Sequence, residues 1–139
     1  MSPVGNRSPG DDAVEAAIEL AVLTLRVVDG TPSDDAAPLA ALLTPSSRVA
    51  RSRQDEQLLF FFEPTSGGAP DLYGSLRDVV REVYWSTVGS VTAALRRAAS
   101  VANQYLFEHN LNSEPTRRCY GGLSCAVIRD RDLFLLQAG

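Results

Sequence analysis

The spacing of apolar positions changes several times along the chain, and each change marks a predicted element. From Asp12 onward Val14, Ile18, Ala21, Leu25 and Val28 recur three and four residues apart, with Asp11 or Asp12 as N-cap and Gly30 as the stop, which predicts an amphipathic helix. Thr31-Pro32-Ser33-Asp34-Asp35 interrupts the pattern, and Ser33 or Asp34 is placed to cap a short second helix that ends near Leu43, before Pro45. The period then shortens. Arg48 to Arg53 and Gln57 to Glu63 read as two strands around a turn at Gln54-Asp55-Glu56. The second carries Leu58-Leu59-Phe60-Phe61-Phe62, five consecutive apolar residues that predict a strand buried on both faces or one crossing the centre of a core.

Pro64 to Pro70 is a loop by composition. After it, Leu72, Leu76, Val79, Val80 and Val83 mark a helix from about Asp71, and Val91, Ala94, Leu95, Ala98, Val101, Ala102 and Tyr105 mark a second one. Between them Ser86-Thr87-Val88-Gly89-Ser90 offers a glycine and capping hydroxyls, so a break is expected, with Arg81, Arg96 and Arg97 on outward faces. The polar stretch from Asn110 to Arg118 is a connection. It leads into a hairpin of Leu123 to Ile128, a turn at Arg129-Asp130-Arg131-Asp132, and Leu133 to Gln137. Residues 1–10 read as a disordered tail and 11–139 as one α+β domain. An apolar strand so close to Gly139 is unusual for a whole domain, so the domain is expected to be truncated at its C-terminus, and its last strand edge is expected to permit self-association.

Composition narrows the chemistry. All 13 basic residues are arginine, so no phosphate-loop or Schiff-base lysine exists in this chain. One histidine, His109, and two cysteines, Cys119 and Cys125, do not supply the usual tetrahedral zinc sites, and two buried, reduced thiols are expected. A net charge of −4 without a basic run argues against nucleic acid. The stretch Ala13 to Val28 is too short and too charged to span a bilayer, and the polar N-terminus lacks an export signal, so a cytoplasmic protein without a membrane is expected.

Few residues point to catalysis. Asp29-Gly30-Thr31 is similar to the aspartyl-phosphate motif of haloacid-dehalogenase phosphatases, but Val27 stands at the nucleophile position, and Gly30 is better read as a helix C-cap. Ser124, in Gly122-Leu123-Ser124-Cys125-Ala126, lacks the glycine that a nucleophile elbow needs two residues later and is read as a serine on a sheet face. His109 is placed to favour the negative end of its helix. Asp55-Glu56 and Asp130/Asp132 are acidic turns with the oxygen chemistry of a hard-cation site, and such turns are ordinarily solvated.

The segment Tyr84-Trp85-Ser86-Thr87-Val88-Gly89-Ser90-Val91-Thr92-Ala93-Ala94-Leu95-Arg96-Arg97-Ala98, continuing through Ala102-Asn103 and Leu106 to Asn110, resembles divergent bacterial PPM-type, metal-dependent serine/threonine phosphatase-like proteins. Gly121-Gly122-Leu123-Ser124-Cys125-Ala126-Val127-Ile128 and Asp132 to Gly139 are similar to the strand pair that follows the helix in that family. The resemblance spans roughly Arg48 to Gly139. It implies a partial PPM-phosphatase-like α-β-β-α sandwich of antiparallel strands packed with helix pairs, and in the family a bimetal centre activates the attacking water. Gln54-Asp55-Glu56 stands where the family has Asn-Glu-Asp, and Glu63-Pro64-Thr65-Ser66-Gly67-Gly68 stands where it has Asp-Gly-x-Gly-Gly. No catalytic, cofactor-binding or metal residue is therefore assigned. The expectation is a degenerate N-terminal part acting as a scaffold or regulatory module, inactive as it stands and without a cofactor, its partner the rest of the parent chain or an unknown protein. The alternatives are a manganese- or magnesium-dependent phosphoprotein phosphatase once a missing half is present, with Asp55 and Glu63 as unconventional ligands, and a non-enzymatic α+β interaction module.

Overall fold

A computed structural model of the chain describes residues 20–23, 25–33, 39–45 and 48–139. It contains a small hairpin of β1 (Arg26–Val28) and β2 (Thr31–Ser33). The main body is β3 (Ala40–Leu43), β4 (Gln57–Ser66), α1 (Pro70–Ser86), α2 (Val91–Leu111), β5 (Tyr120–Arg129) and β6 (Asp132–Ala138). β3 to β6 form one antiparallel sheet in the order β3-β4-β5-β6, and the two helices pack on one face of it, an α+β architecture. Among the described residues no helix is long and apolar enough to cross a membrane.

Alternation along the strands decides which side chains meet the helices. Leu58, Phe60 and Phe62 of β4 and Leu123, Cys125 and Val127 of β5 are buried on the helix side. α1 answers with Leu72, Leu76, Val80 and Tyr84, four residues apart, and α2 with Val91, Ala94, Leu95, Ala98 and Ala102. Alanines on α2 let it approach the sheet closely. Each fully buried Leu or Phe here stabilises the fold by about 1.5–3 kcal/mol relative to exposure.

The helices and the β5–β6 hairpin form as their patterns predict. Pro70 starts α1, where its missing N–H costs nothing. The expected break between the helices is present: Ser90 is the N-cap of α2 and its Oγ accepts from the Ala93 N–H at 3.1 Å. At the other end of α2, Asn110 Nδ2 donates to Cys119 O and Cys119 N donates to Asn110 Oδ1, both at 2.8 Å, which fixes the approach into β5.

Five expectations are corrected. The predicted helix from Asp12 does not reach Val28: residues 20–23 and 25 are not helical and 26–28 form β1, while 12–19, like the expected tail at 1–10, lie outside the described residues. Asp29 and Gly30, at φ 51° and 78°, make the two-residue turn between Val28 and Thr31, so Gly30 is a hairpin residue and not a helix cap. The short second helix is replaced over Ala40–Leu43 by β3, because pairing with β4 from Ala40↔Phe61 to Leu43↔Leu58 satisfies the backbone and buries Leu43; residues 34–38 lie outside the described residues. Arg48 to Arg53 is not a strand, since Arg51–Arg53 forms a 3-10 turn that carries the Arg53 side chain inward. Finally, β4 runs on to Ser66 through a register shift between Pro64 and Ser66, where a proline without an N–H is tolerated, so the loop is shorter than expected.

Candidate functional site

The opposite face of the sheet carries Ala40 and Leu42 of β3, Leu59 and Phe61 of β4, Ser124, Ala126 and Ile128 of β5, and Leu133 and Leu135 of β6. Leu135 is 72% exposed, Leu133 60%, Phe61 46% and Leu42 39%, a concentration of large apolar groups that a solvated sheet face does not ordinarily present. Val22 borders a groove of about 440 Å³ over this face, lined also by Ala40, Leu59, Phe61, Ala126 and Leu135. The only carboxylate in these outward rows of the sheet is Glu63, at the far end of β4. Among the described residues the apolar run in β4 is thus buried on one face and open on the other, where an uninterrupted run predicted burial on both faces or a strand crossing the centre of a core. β6 pairs with β5 and stands at the edge of the sheet, so its outer backbone groups are open to another strand.

Beneath the other face lies a polar network centred on Arg53, whose side chain is fully buried. All five of its N–H groups have acceptors. Nε donates to Thr87 O at 2.8 Å, and Nη2 donates to Gly89 O and Ser90 O at 2.9 and 3.0 Å. Nη1 donates to Glu56 Oε2 at 3.1 Å and to Tyr84 Oη at 3.4 Å. Tyr84 in turn donates to Glu56 Oε2 at 2.6 Å, and Arg129 Nη1 stands 3.6 Å from Glu56 Oε1. The network ties the turn before β4 to the break between the helices. Burial, then the hydrogen bond to Glu56, pushes the Tyr84 hydroxyl well above the usual phenol range.

Glu56 corrects the expectation of a solvated acidic turn. Asp55 is exposed, but the Glu56 side chain is 1% exposed, and both its oxygens are committed to Arg53, Tyr84 and Arg129. A carboxylate held this way is not free to ligate a metal. Glu63, on β4, is exposed and pairs across the ladder with Gly122. Asp130, at φ 55°, and Asp132 lie in the exposed β5–β6 turn, where Arg129 leans over the Phe134 ring at 5.6 Å.

The remaining candidates fall in ordinary places. Ser124 is on the uncovered sheet face, as a sheet serine should be. Cys119 and Cys125 are free and buried; burial alone raises both thiols, Cys125 to about 12, which makes them poor nucleophiles. His109 is in the last turn of α2, with Nε2 3.3 Å from Ser113 Oγ. Arg53 is the residue that pattern reasoning misses. Arg48, Arg51 and Arg53 look alike in sequence, and only the 3-10 turn decides which one points inward.

No protein-family model matches this sequence, and no curated protein or solved structure is significantly similar to it.

Proposed function

We propose that this chain is a degenerate PPM-phosphatase-like unit that serves as a scaffold or regulatory module and does not hydrolyse phosphoesters itself. The observation that carries this reading is the sheet with a helix pair on one face and, among the described residues, an uncovered apolar surface on the other, which is half of a layered sandwich and exposes what a second sheet would cover. Within residues 48–139 the order is one strand, two helices and two paired strands, and the helix followed by a strand pair supports the resemblance. The engagement of Glu56 with Arg53 and Tyr84 favours the degenerate form over the active one, because the carboxylate turn nearest the family's first acidic motif is used to hold the fold together.

The test is a manganese titration by calorimetry on the full chain, followed by a p-nitrophenyl phosphate assay on the same sample. The expected result is neither stoichiometric binding nor turnover. Two bound metals with turnover abolished by Asp55→Asn and Glu63→Gln would overturn the reading and restore the active phosphatase.

A further inference from the structure

We infer that the sheet face left open among the described residues is closed in solution by a second copy of this chain, packed sheet on sheet about a two-fold axis. The inference rests on the proposal that this face is a docking surface, and it names the occupant. The exposed parts of Leu42, Phe61, Leu133 and Leu135, with Leu59, Ala126 and Ile128 between them, make an apolar patch on the order of 500 Å², the size at which such patches on monomers are commonly functional. Pairing two copies removes on the order of 1,000 Å² from water, which reaches what a specific interface needs.

Charge and shape favour a second copy over other partners. A two-fold axis sets a face against itself, so any cluster of one sign would repel its image. Here the rows outward from the helices hold one carboxylate, Glu63, at an end of the sheet, and no arginine. A charged peptide has nothing to pair with at the centre of this face. Rows of Leu, Phe and Ala side chains across four strands are the kind of surface that a like sheet packs on, at about −30° and a spacing of about 10 Å. Edge pairing through β6 would leave Phe61 and Leu135 in water and does not answer the exposure.

Sedimentation equilibrium of the full chain across the micromolar range tests the inference. The expected outcome is the mass of two chains for the native protein, reduced to one chain by Phe61→Asp and by Leu135→Asp, with Phe107→Asp on the exposed side of α2 leaving the two-chain mass unchanged. Each Asp variant is checked for its helix signal by circular dichroism, and Leu135→Ser replaces either one that has lost it. A one-chain mass for the native protein overturns the inference, as does a two-chain mass that survives both face substitutions. Because metal binding and hydrolysis are read separately, failure here is distinguishable from failure of the scaffold proposal.

Discussion

The Tyr84 hydroxyl donates to Glu56 Oε2 at 2.6 Å, joining the last turns of α1 to the turn that precedes β4, 28 residues away. A phenol on a buried carboxylate is a charge-assisted hydrogen bond, short because the acceptor is ionised and water is excluded. Tyr84→Phe keeps the ring and its edge contact with Trp85, at 5.2 Å between centroids, and removes this bond together with the longer one that the hydroxyl accepts from Arg53 Nη1. The expected loss is about 1.5–3 kcal/mol of unfolding free energy, measured by urea denaturation.

Arg53 sets a larger expectation. Arg53→Met leaves Glu56 buried with its main counter-charge gone and three backbone carbonyls without their donor, so a loss of about 3–5 kcal/mol is expected. Arg53→Lys has three donors on a point charge where five in a planar fork are used, and should recover only part of that loss. Adding Glu56→Gln to Arg53→Met removes the uncompensated charge and should restore stability relative to Arg53→Met alone. A double-mutant cycle by denaturant unfolding reads the coupling, and additivity of the two substitutions would contradict the network.

Alkaline pH should unfold the protein. The thiols of Cys119 and Cys125 and the Tyr84 hydroxyl are all held protonated beyond their ordinary ranges, chiefly by burial. In the unfolded chain they ionise at about pH 8.5–10, so above that range the unfolded state holds fewer protons than the folded one and stability falls as pH rises. Their contribution is complete below about pH 8 and is lost progressively toward the raised folded-state values. Denaturation midpoints between about pH 8 and 10.5 should decline, and the decline should be shallower in Cys125→Ala, whatever that substitution costs in packing.

Asn110 closes the far end of the helix pair with two hydrogen bonds to the Cys119 backbone. Asn110→Ala leaves the N–H and C=O of a buried residue unpaired, at an expected cost of about 1–3 kcal/mol. Hydrogen exchange at the Cys119 amide should accelerate well beyond exchange in β4 if the effect is local.

Legibility in the sequence followed how much each element depends on its own residues. α1, α2 and the β5–β6 hairpin are readable because their apolar periods, Ser90 and Pro70 act locally. β3 is not. Leu39-Ala40-Ala41-Leu42-Leu43 suits a helix as well as a strand, and its state is decided by Leu58 to Phe61 alongside it. Val27-Val28-Asp29-Gly30 holds a hairpin signal that the three- and four-residue spacing upstream obscured. In the candidate site, the apolar run of β4 announced a core strand, but only the position of both helices on one side leaves its other side open among the described residues. The burial of Arg53 and Glu56 depends on the helix break 31 or more residues later, which no local pattern encodes.

β4 and β5 are hydrogen-bonded neighbours, yet both helices lie between them in the chain. Their ladder closes only after about fifty intervening residues have folded back, so the loop-closure entropy falls before the central pairing is gained. The helix pair, built from local contacts, is expected to form first, with Leu58-Leu59-Phe60-Phe61-Phe62 left waiting as an unpaired apolar segment. That order makes refolding yield a matter of protein concentration, since the same five residues that later sit at the middle of the sheet are, for a time, the most adhesive part of the chain.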